Sequence, residues 1–305
     1  MDGQNRHGGP VPHVSLPCRS LWAAPHRPAE PREFLARLSG EVRRLGDLGA
    51  QLVEFHAEAC VLDDRYARPD LWRQVAEILD REGLGATVHL PYAWTDLAAL
   101  DRQVWEGSVR SVETALAATA PLAPRVAAVH PANHATQAVV QFAPPPARAA
   151  LLEALAGRLV AALRRLAGGP GGGALALENL EGVPLAVFVR VLEEADVGAC
   201  VDVGHAISNG DDPLQVLAAV GRRLAGLHLH DAVPPDGAAG AGVGRAHLPL
   251  GRGRLDLEAL VEALAERGFA GPVVLEVEED EDGSAERLAR VLGRRFGGAT
   301  PAGAS

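Results

Sequence analysis

The sequence contains no lysine, so all 29 of its cationic side chains are arginine. Without that amine a chain cannot form a Schiff base with a carbonyl substrate or with pyridoxal phosphate, and it cannot build a P-loop. Schiff-base aldolases, pyridoxal enzymes and P-loop NTPases are excluded. Thiols are almost as scarce. Cys18, Cys60 and Cys200 are scattered without a CxxC spacing, which argues against a disulfide framework and against a thiolate zinc site, and leaves them as small core residues. No stretch approaches the roughly 18 consecutive apolar residues that a membrane span requires. The opening MDGQNRHGGPVPH has no apolar run behind its basic residues, so a cytoplasmic location is expected. Positive charge is also in deficit. A formal net charge of −10 repels a phosphate backbone, because nonspecific nucleic-acid affinity comes from cations that displace condensed counterions. A small molecule is expected as the partner, with nucleic acid disfavoured.

What is present is the pattern of an alternating α/β chain. At 305 residues, with 48% hydrophobic and 22% charged side chains, the composition is that of an ordinary globular protein. Single α/β barrels run to roughly 250 residues, so one such domain is expected over residues 13–296. Short β-branched or apolar runs recur between segments with apolar residues at three-and-four spacing, which is the signature of a parallel sheet. Eight such runs occur: HVSL (13–16), QLVEFH (51–56), ATVHL (86–90), RVAAVH (125–130), ALALEN (174–179), GACVDVG (198–204), AGLHLHD (225–231) and PVVLEVE (272–278). Eight strands close a (β/α)8 barrel. Helical spacing is clear over residues 31–48, 70–81, 147–166, 185–194 and 256–267, with Asp256 suited to cap the last. GGPGGG (168–173) precedes a strand instead of following one and lacks a GK[ST] ending, so it reads as a helix-to-strand turn and not as a phosphate loop. Residues 1–12 and 297–305 are small, polar and without periodicity, and are expected to be disordered; Pro234 to Gly244 is expected to be a mobile loop over the barrel mouth.

In a closed parallel barrel the catalytic face is the ring of strand C-terminal ends. Ionisable residues gather at those positions here. The third strand ends in His89, the fourth in His130, the fifth in Glu178, the sixth in Asp202 with His205 just after, the seventh in His228 and the eighth in Glu276. So many ionisable groups in a dry mouth would repel one another or stay unsatisfied unless a cation held them together. Carboxylate oxygen mixed with imidazole nitrogen suits zinc, manganese, iron or cobalt; magnesium fits an imidazole-rich site less well. Glu54, near the end of the second strand, is a candidate for orienting a ligand or binding a substrate hydroxyl. His56 and His230 read as supporting residues, His134 is unassigned, and Glu279 to Asp282 reads as a solvated acidic loop.

The strings VHLPY, VHP, LALENLEG, CVDVGH, LHLHD, HLPLGRG and VVLEVE, in this order from His13 to about Phe296, resemble the xylose-isomerase-like superfamily. That superfamily groups sugar-phosphate isomerases and epimerases with the endonuclease IV type of DNA-repair enzyme. The isomerase resemblance implies one divalent ion held by Glu178, Asp202, His228 and Glu276, with Glu178 and Glu276 as the proton-transferring, catalytic carboxylates. The endonuclease resemblance implies up to three ions and adds His89, His130, His205 and His247. One acidic ligand of that pattern is replaced by Arg245, two residues before His247. The replacement weakens the third position and offers a guanidinium that could instead grip a substrate phosphate.

The expected reaction is therefore isomerisation or epimerisation of a metal-chelated, ketose-type sugar or sugar phosphate. The alternative is hydrolysis of a phosphodiester, in which His89 and His130 hold a second ion and water attacks phosphorus. VHLPYAWTDL followed by SVRSVE is similar to a branch that cleaves the nucleotide loop of cobamides, so a small phosphodiester, or abasic DNA, is the substrate under that alternative. A ligand-binding barrel without catalysis is the third possibility.

Overall fold

The eight expected strands form because their apolar runs are buried on both faces, one against the barrel interior and the other against a coat of helices. They are β1 (His13–Pro17), β2 (Leu52–His56), β3 (Gly85–His89), β4 (Ala127–Val129), β5 (Leu175–Glu178), β6 (Gly198–Asp202), β7 (Leu224–Leu229) and β8 (Pro272–Leu275). In this computed structural model, which describes residues 10–25, 27–234 and 244–297, each strand pairs in parallel with its sequence neighbours and β1 pairs with β8, closing the barrel. Each strand is followed by an outer helix: α1 (Pro31–Asp47), α2 (Pro69–Glu82), α3 (Arg102–Thr119), α4 (Pro145–Ala167), α5 (Leu185–Ala195), α6 (Pro213–Val220), α7 (Leu257–Glu266) and α8 (Glu281–Phe296). The protein is an α/β, (β/α)8 barrel. Among the described residues no helix is long and apolar enough to cross a membrane. Most of the two tails and of the Pro234 to Gly244 segment lies outside the described residues.

The helices dock by the spacing that predicts them. On α2 the residues Leu71, Trp72, Val75, Ile78 and Leu79 share one face and are buried, Pro69 opens the helix, and Gly83 ends it in the left-handed region at φ 72°. Asp256 caps α7 by accepting the Ala259 N–H, as its position in the sequence suggests. Glu279 to Asp282 is not a free acidic loop: α8 begins at Glu281, whose carboxylate pairs with Arg19 and Arg44. Acidic residues in a first turn meet the positive end of the helix, which a reading of charge alone misses.

Within the barrel, alternate residues point inward. A small cluster of Val126, Ala128, Ala176 and Cys200, separate from the main core, fills the lower interior, and Ser15 hydrogen-bonds Thr87 there at 2.8 Å. The next inward position on each strand, one layer nearer the strand C-terminal ends, is where the chemistry-bearing side chains fall. Beyond it, on the mouth side, stand the hairpin Asp231–Val233 with Arg245–Leu248 and the short helices Ala59–Leu62, His134–Phe142 and Val203–Asn209.

Candidate metal centre

Two-residue alternation brings the predicted residues into one layer. From Thr87, Ala128, Ala176, Cys200, Gly226 and Val274, a step of two along the strand reaches His89, His130, Glu178, Asp202, His228 and Glu276. The pairing places His56 beside His89, Asp202 beside His228, and His228 beside Val274. Glu178 stands at the centre. Its Oε2 lies 3.2 Å from His228 Nδ1, 3.3 Å from His130 Nε2 and 3.6 Å from His89 Nε2, and its Oε1 lies 3.5 Å from His205 Nδ1. Glu276 Oε1 comes within 3.4 Å of His228 Nδ1. Potential ligand atoms therefore converge in overlapping groups: His89 with His130 and Glu178; His89 with His228 and Glu276; and Glu178 with Asp202 and His205.

Several of these atoms are buried and have no hydrogen-bond partner: both oxygens of Glu54, Glu178 Oε2, both ring nitrogens of His228 and Glu276 Oε1. Each such orphan costs about 1–3 kcal/mol. A divalent cation would satisfy three of these six at once, Glu178 Oε2, His228 Nδ1 and Glu276 Oε1, so the donor set fits a metal. Backbone contacts aim the imidazoles. His89 Nδ1–H donates to the Leu90 carbonyl at 2.9 Å and leaves Nε2 toward Glu178, the arrangement usual for a ligating histidine. Asp202 is held on every side: its N–H donates to Asn179 Oδ1 at 2.8 Å, Asn179 Nδ2–H donates to its carbonyl at 2.9 Å, and its Oδ1 accepts the His205 N–H at 2.6 Å.

The electrostatics divide the layer. Burial, helped by His130 and His56, pushes His89 down to about 3, so it is a neutral imidazole at pH 7 and ready to ligate. Burial also works against charge on His228, but Cys200, Glu178 and Glu276 outweigh it and raise its pKa well above the ordinary value. Glu178 is held well below the usual carboxylate range: burial opposes its charge, and His228 and His130 outweigh that penalty. Glu54 goes the other way, raised by burial and by Glu276.

A cavity of about 450 Å3 opens above the layer, lined by His89, His130, Glu178, His205, His247 and Glu276 among others. Glu54 is fully buried, 3.8 Å from His228 Nε2, is not among the residues lining the cavity, and shares a potential ligand group with His56 and Glu276. Arg245 is exposed and is not among the residues lining the cavity. The arginine at the rim is Arg19, which follows β1 and donates from Nε to Glu281 at 2.9 Å. Arg19, Tyr92 and Glu181 line the cavity without being singled out by the sequence. Of the three, Tyr92 had a visible signal, since it follows His89 in VHLPY; its ring packs against His89 at 4.9 Å and His130 at 4.7 Å.

Carboxylates and imidazoles thus converge on the mouth of a closed parallel barrel. The chain belongs to the xylose isomerase-like TIM barrel family, whose model matches residues 42–294. Among solved structures it is similar to a D-tagatose 3-epimerase-like protein, at 19% identity over 93% of this chain and 98% of that one, with a TM-score of 0.68. It is also similar to 3-keto-D-glucoside 4-epimerase from E. coli, at 18% identity over 92% and 98%, with a TM-score of 0.66. A protein from Thermus thermophilus, soaked with zinc chloride, is similar at 25% identity over 92% and 98%, with a TM-score of 0.56. No curated protein sequence matches the chain.

Proposed function

We propose that the chain is a metal-dependent hydrolase of a small phosphodiester, with the Glu178 carboxylate shared between two divalent ions. The observation that supports this is Glu178 Oε2, buried and unpartnered, with nitrogens of His228, His130 and His89 all 3.2–3.6 Å from it. A single-ion site built from Glu178, Asp202, His228 and Glu276 would leave His89 and His130, whose nitrogens also face Glu178 Oε2, outside the ligand set. Zinc suits this donor set best, with manganese, cobalt and iron compatible. When bound, a pair of such ions polarises the phosphoryl group and makes a nucleophile available at neutral pH.

The residues divide that labour. His89 and His130 would hold one ion and Asp202, His228 and Glu276 the other, with Glu178 between them. Arg19 stands at the rim, where the donors of its fork not spent on Glu281 can meet a phosphate oxygen. The cavity volume suits a small diester, and the net charge of −10 disfavours a long nucleic acid.

The epimerases among the structural neighbours favour a second reading, a sugar or sugar-phosphate isomerase or epimerase. There Glu178 and Glu276, on either side of a chelated ketose, would move the proton. One experiment separates the two. Zinc-loaded protein is assayed on bis(p-nitrophenyl) phosphate and on a panel of ketoses, alongside its His89→Ala and His130→Ala variants with metal counted in each. Hydrolysis is expected, and each variant should lose one metal equivalent together with that hydrolysis. Ketose epimerisation that survives in both variants at one ion per chain would select the second reading.

A further inference from the structure

His230 sits two residues after His228 in LHLHD, on the same side of the chain, and by position it is as good a ligand as its neighbour. Together with His205 and His247 it forms a trio of imidazoles close enough to share an ion. Its hydrogen bonds say otherwise. Nδ1 accepts the His247 backbone N–H at 2.8 Å, which leaves the proton on Nε2, and Nε2–H donates to Asp202 Oδ2 at 3.0 Å. Both nitrogens are thereby spent. The ring also stacks on that of His247, with centroids 4.1 Å apart and planes 27° from parallel. Imidazole lone pairs lie in the ring plane, so two stacked rings cannot both aim at one ion between them.

The surroundings are shaped to keep this arrangement. Gly204 is packed so tightly against the ring that a Cβ there would lie 1.8 Å from His230 Cε1. Only glycine admits the ring at that point. His247 adopts φ 54°, a left-handed conformation that costs a non-glycine residue of order 1–3 kcal/mol and turns its N–H onto His230 Nδ1. The remaining members of the trio, His205 and His247, have their Nδ1 atoms tied to the carbonyls of Asn179 and Glu276 at 3.0 Å each. Among the described residues no carboxylate joins both of them in one ligand group, and Arg245 stands exposed where an acidic ligand would be needed.

From this geometry we infer that His230 is a positioning residue that fixes Asp202 by a hydrogen bond, and that the His205–His247 position takes no third ion. The inference rests on the metal reading of the mouth. The Nε2 of His230 lies 3.0 Å from both Asp202 oxygens and the His205 N–H donates to Oδ1, so Asp202 enters metal binding with its orientation already set. Loss of such an outer hydrogen bond typically costs 10- to 100-fold in metal affinity without removing a ligand.

The test counts zinc by elemental analysis after equilibration with excess ion and dialysis, and measures affinity by competition with a chromogenic chelator. The wild type should hold two equivalents, and His247→Asn, whose new side chain tolerates the left-handed backbone, should also hold two. His230→Ala should bind two at saturation with one of them weakened roughly 10- to 100-fold. His230→Gln, which restores an N–H donor, should recover much of that loss. Three equivalents in the wild type, or one fewer in His247→Asn, would overturn the absence of a third ion. One fewer at saturation in His230→Ala, or no change in affinity in that variant, would overturn the positioning role. A wild type that retains no zinc would instead remove the metal reading itself, and the inference with it.

Discussion

Glu178→Gln isolates charge from shape, because the amide has nearly the volume of the carboxylate and Glu178 is only 1% exposed. The barrel should fold, since its stability comes from the apolar layers beneath the mouth and between strands and helices. What changes is the central acceptor. The carboxylate faces His228 at 3.2 Å, His130 at 3.3 Å and His89 at 3.6 Å, and a neutral amide in that place cannot bridge two cations. We expect the loss of at least one metal equivalent and a fall in diester hydrolysis of about a thousandfold or more, or about 4 kcal/mol of transition-state stabilisation. The effect on the metal-free fold is set by His228. Removing one partner of a buried charge pair costs about 3–5 kcal/mol if the other stays charged. His228 can avoid that cost by releasing its proton, which is downhill above its ordinary value of 6.5. Thermal unfolding of the metal-free variant should therefore match the wild type more closely at pH 8.5 than at pH 6. Two retained equivalents with full hydrolysis would refute the shared-carboxylate assignment, and a variant unfolded at both pH values would refute the separation of mouth from core.

Chelation should abolish activity and zinc should restore it, and loading should release more protons as pH falls, because the pKa of His228 is raised and a ligating imidazole keeps no proton on its ligand nitrogen. Calorimetry in buffers of different ionisation enthalpy reads this directly; proton-neutral binding would count against His228 as a ligand. His205 is raised to about 9, burial opposing its charge and Asp202, Glu181 and Glu178 outweighing it. A raised histidine pKa stabilises the fold fully below its unfolded value and loses that contribution as pH rises through the folded one. Metal-free wild type should thus lose up to about 3 kcal/mol relative to His205→Gln between pH 6.5 and 9; parallel stability curves would be inconsistent with this. Gly204→Ala should drive the His230 ring off Asp202 and cost about 1–3 kcal/mol. Adding His230→Ser should recover most of that cost, and strictly additive losses would exclude the contact as its cause.

The barrel was legible because two periods alternate in the sequence and each has a physical origin. Runs such as GACVDVG can satisfy their backbone and bury both faces only inside a parallel sheet, and stretches such as Asp70 to Arg81 expose one apolar stripe. The elements that escaped notice carried weaker periods. Pro213–Val220 is short and apolar nearly throughout, so it shows no polar face. Glu281–Phe296 opens on acidic residues and Gly283, and lacks a side-chain cap on its first turn, so its start reads as loop until the pairing of Glu281 with Arg19 and Arg44 is seen.

The mouth was legible for a different reason: topology alone carries the ends of eight strands to one ring, whatever the loops do. That argument fixes which strand ends can meet but not what each one does there. Arg245 was singled out as a candidate and Arg19 was not, although each lies beyond a barrel strand, where only the path of the chain decides which side chain reaches the cavity. The same holds for two histidines two residues apart. His228 and His230 share sequence parity and burial, yet one keeps both nitrogens free of hydrogen bonds while the other has committed both. The local trace of that difference is Gly204, whose missing side chain makes room for one ring and not the other. A ligand count taken from strand ends therefore overstates the number of ions by the imidazoles that serve to hold carboxylates, and the hydrogen-bond partner of each ring nitrogen is what corrects it.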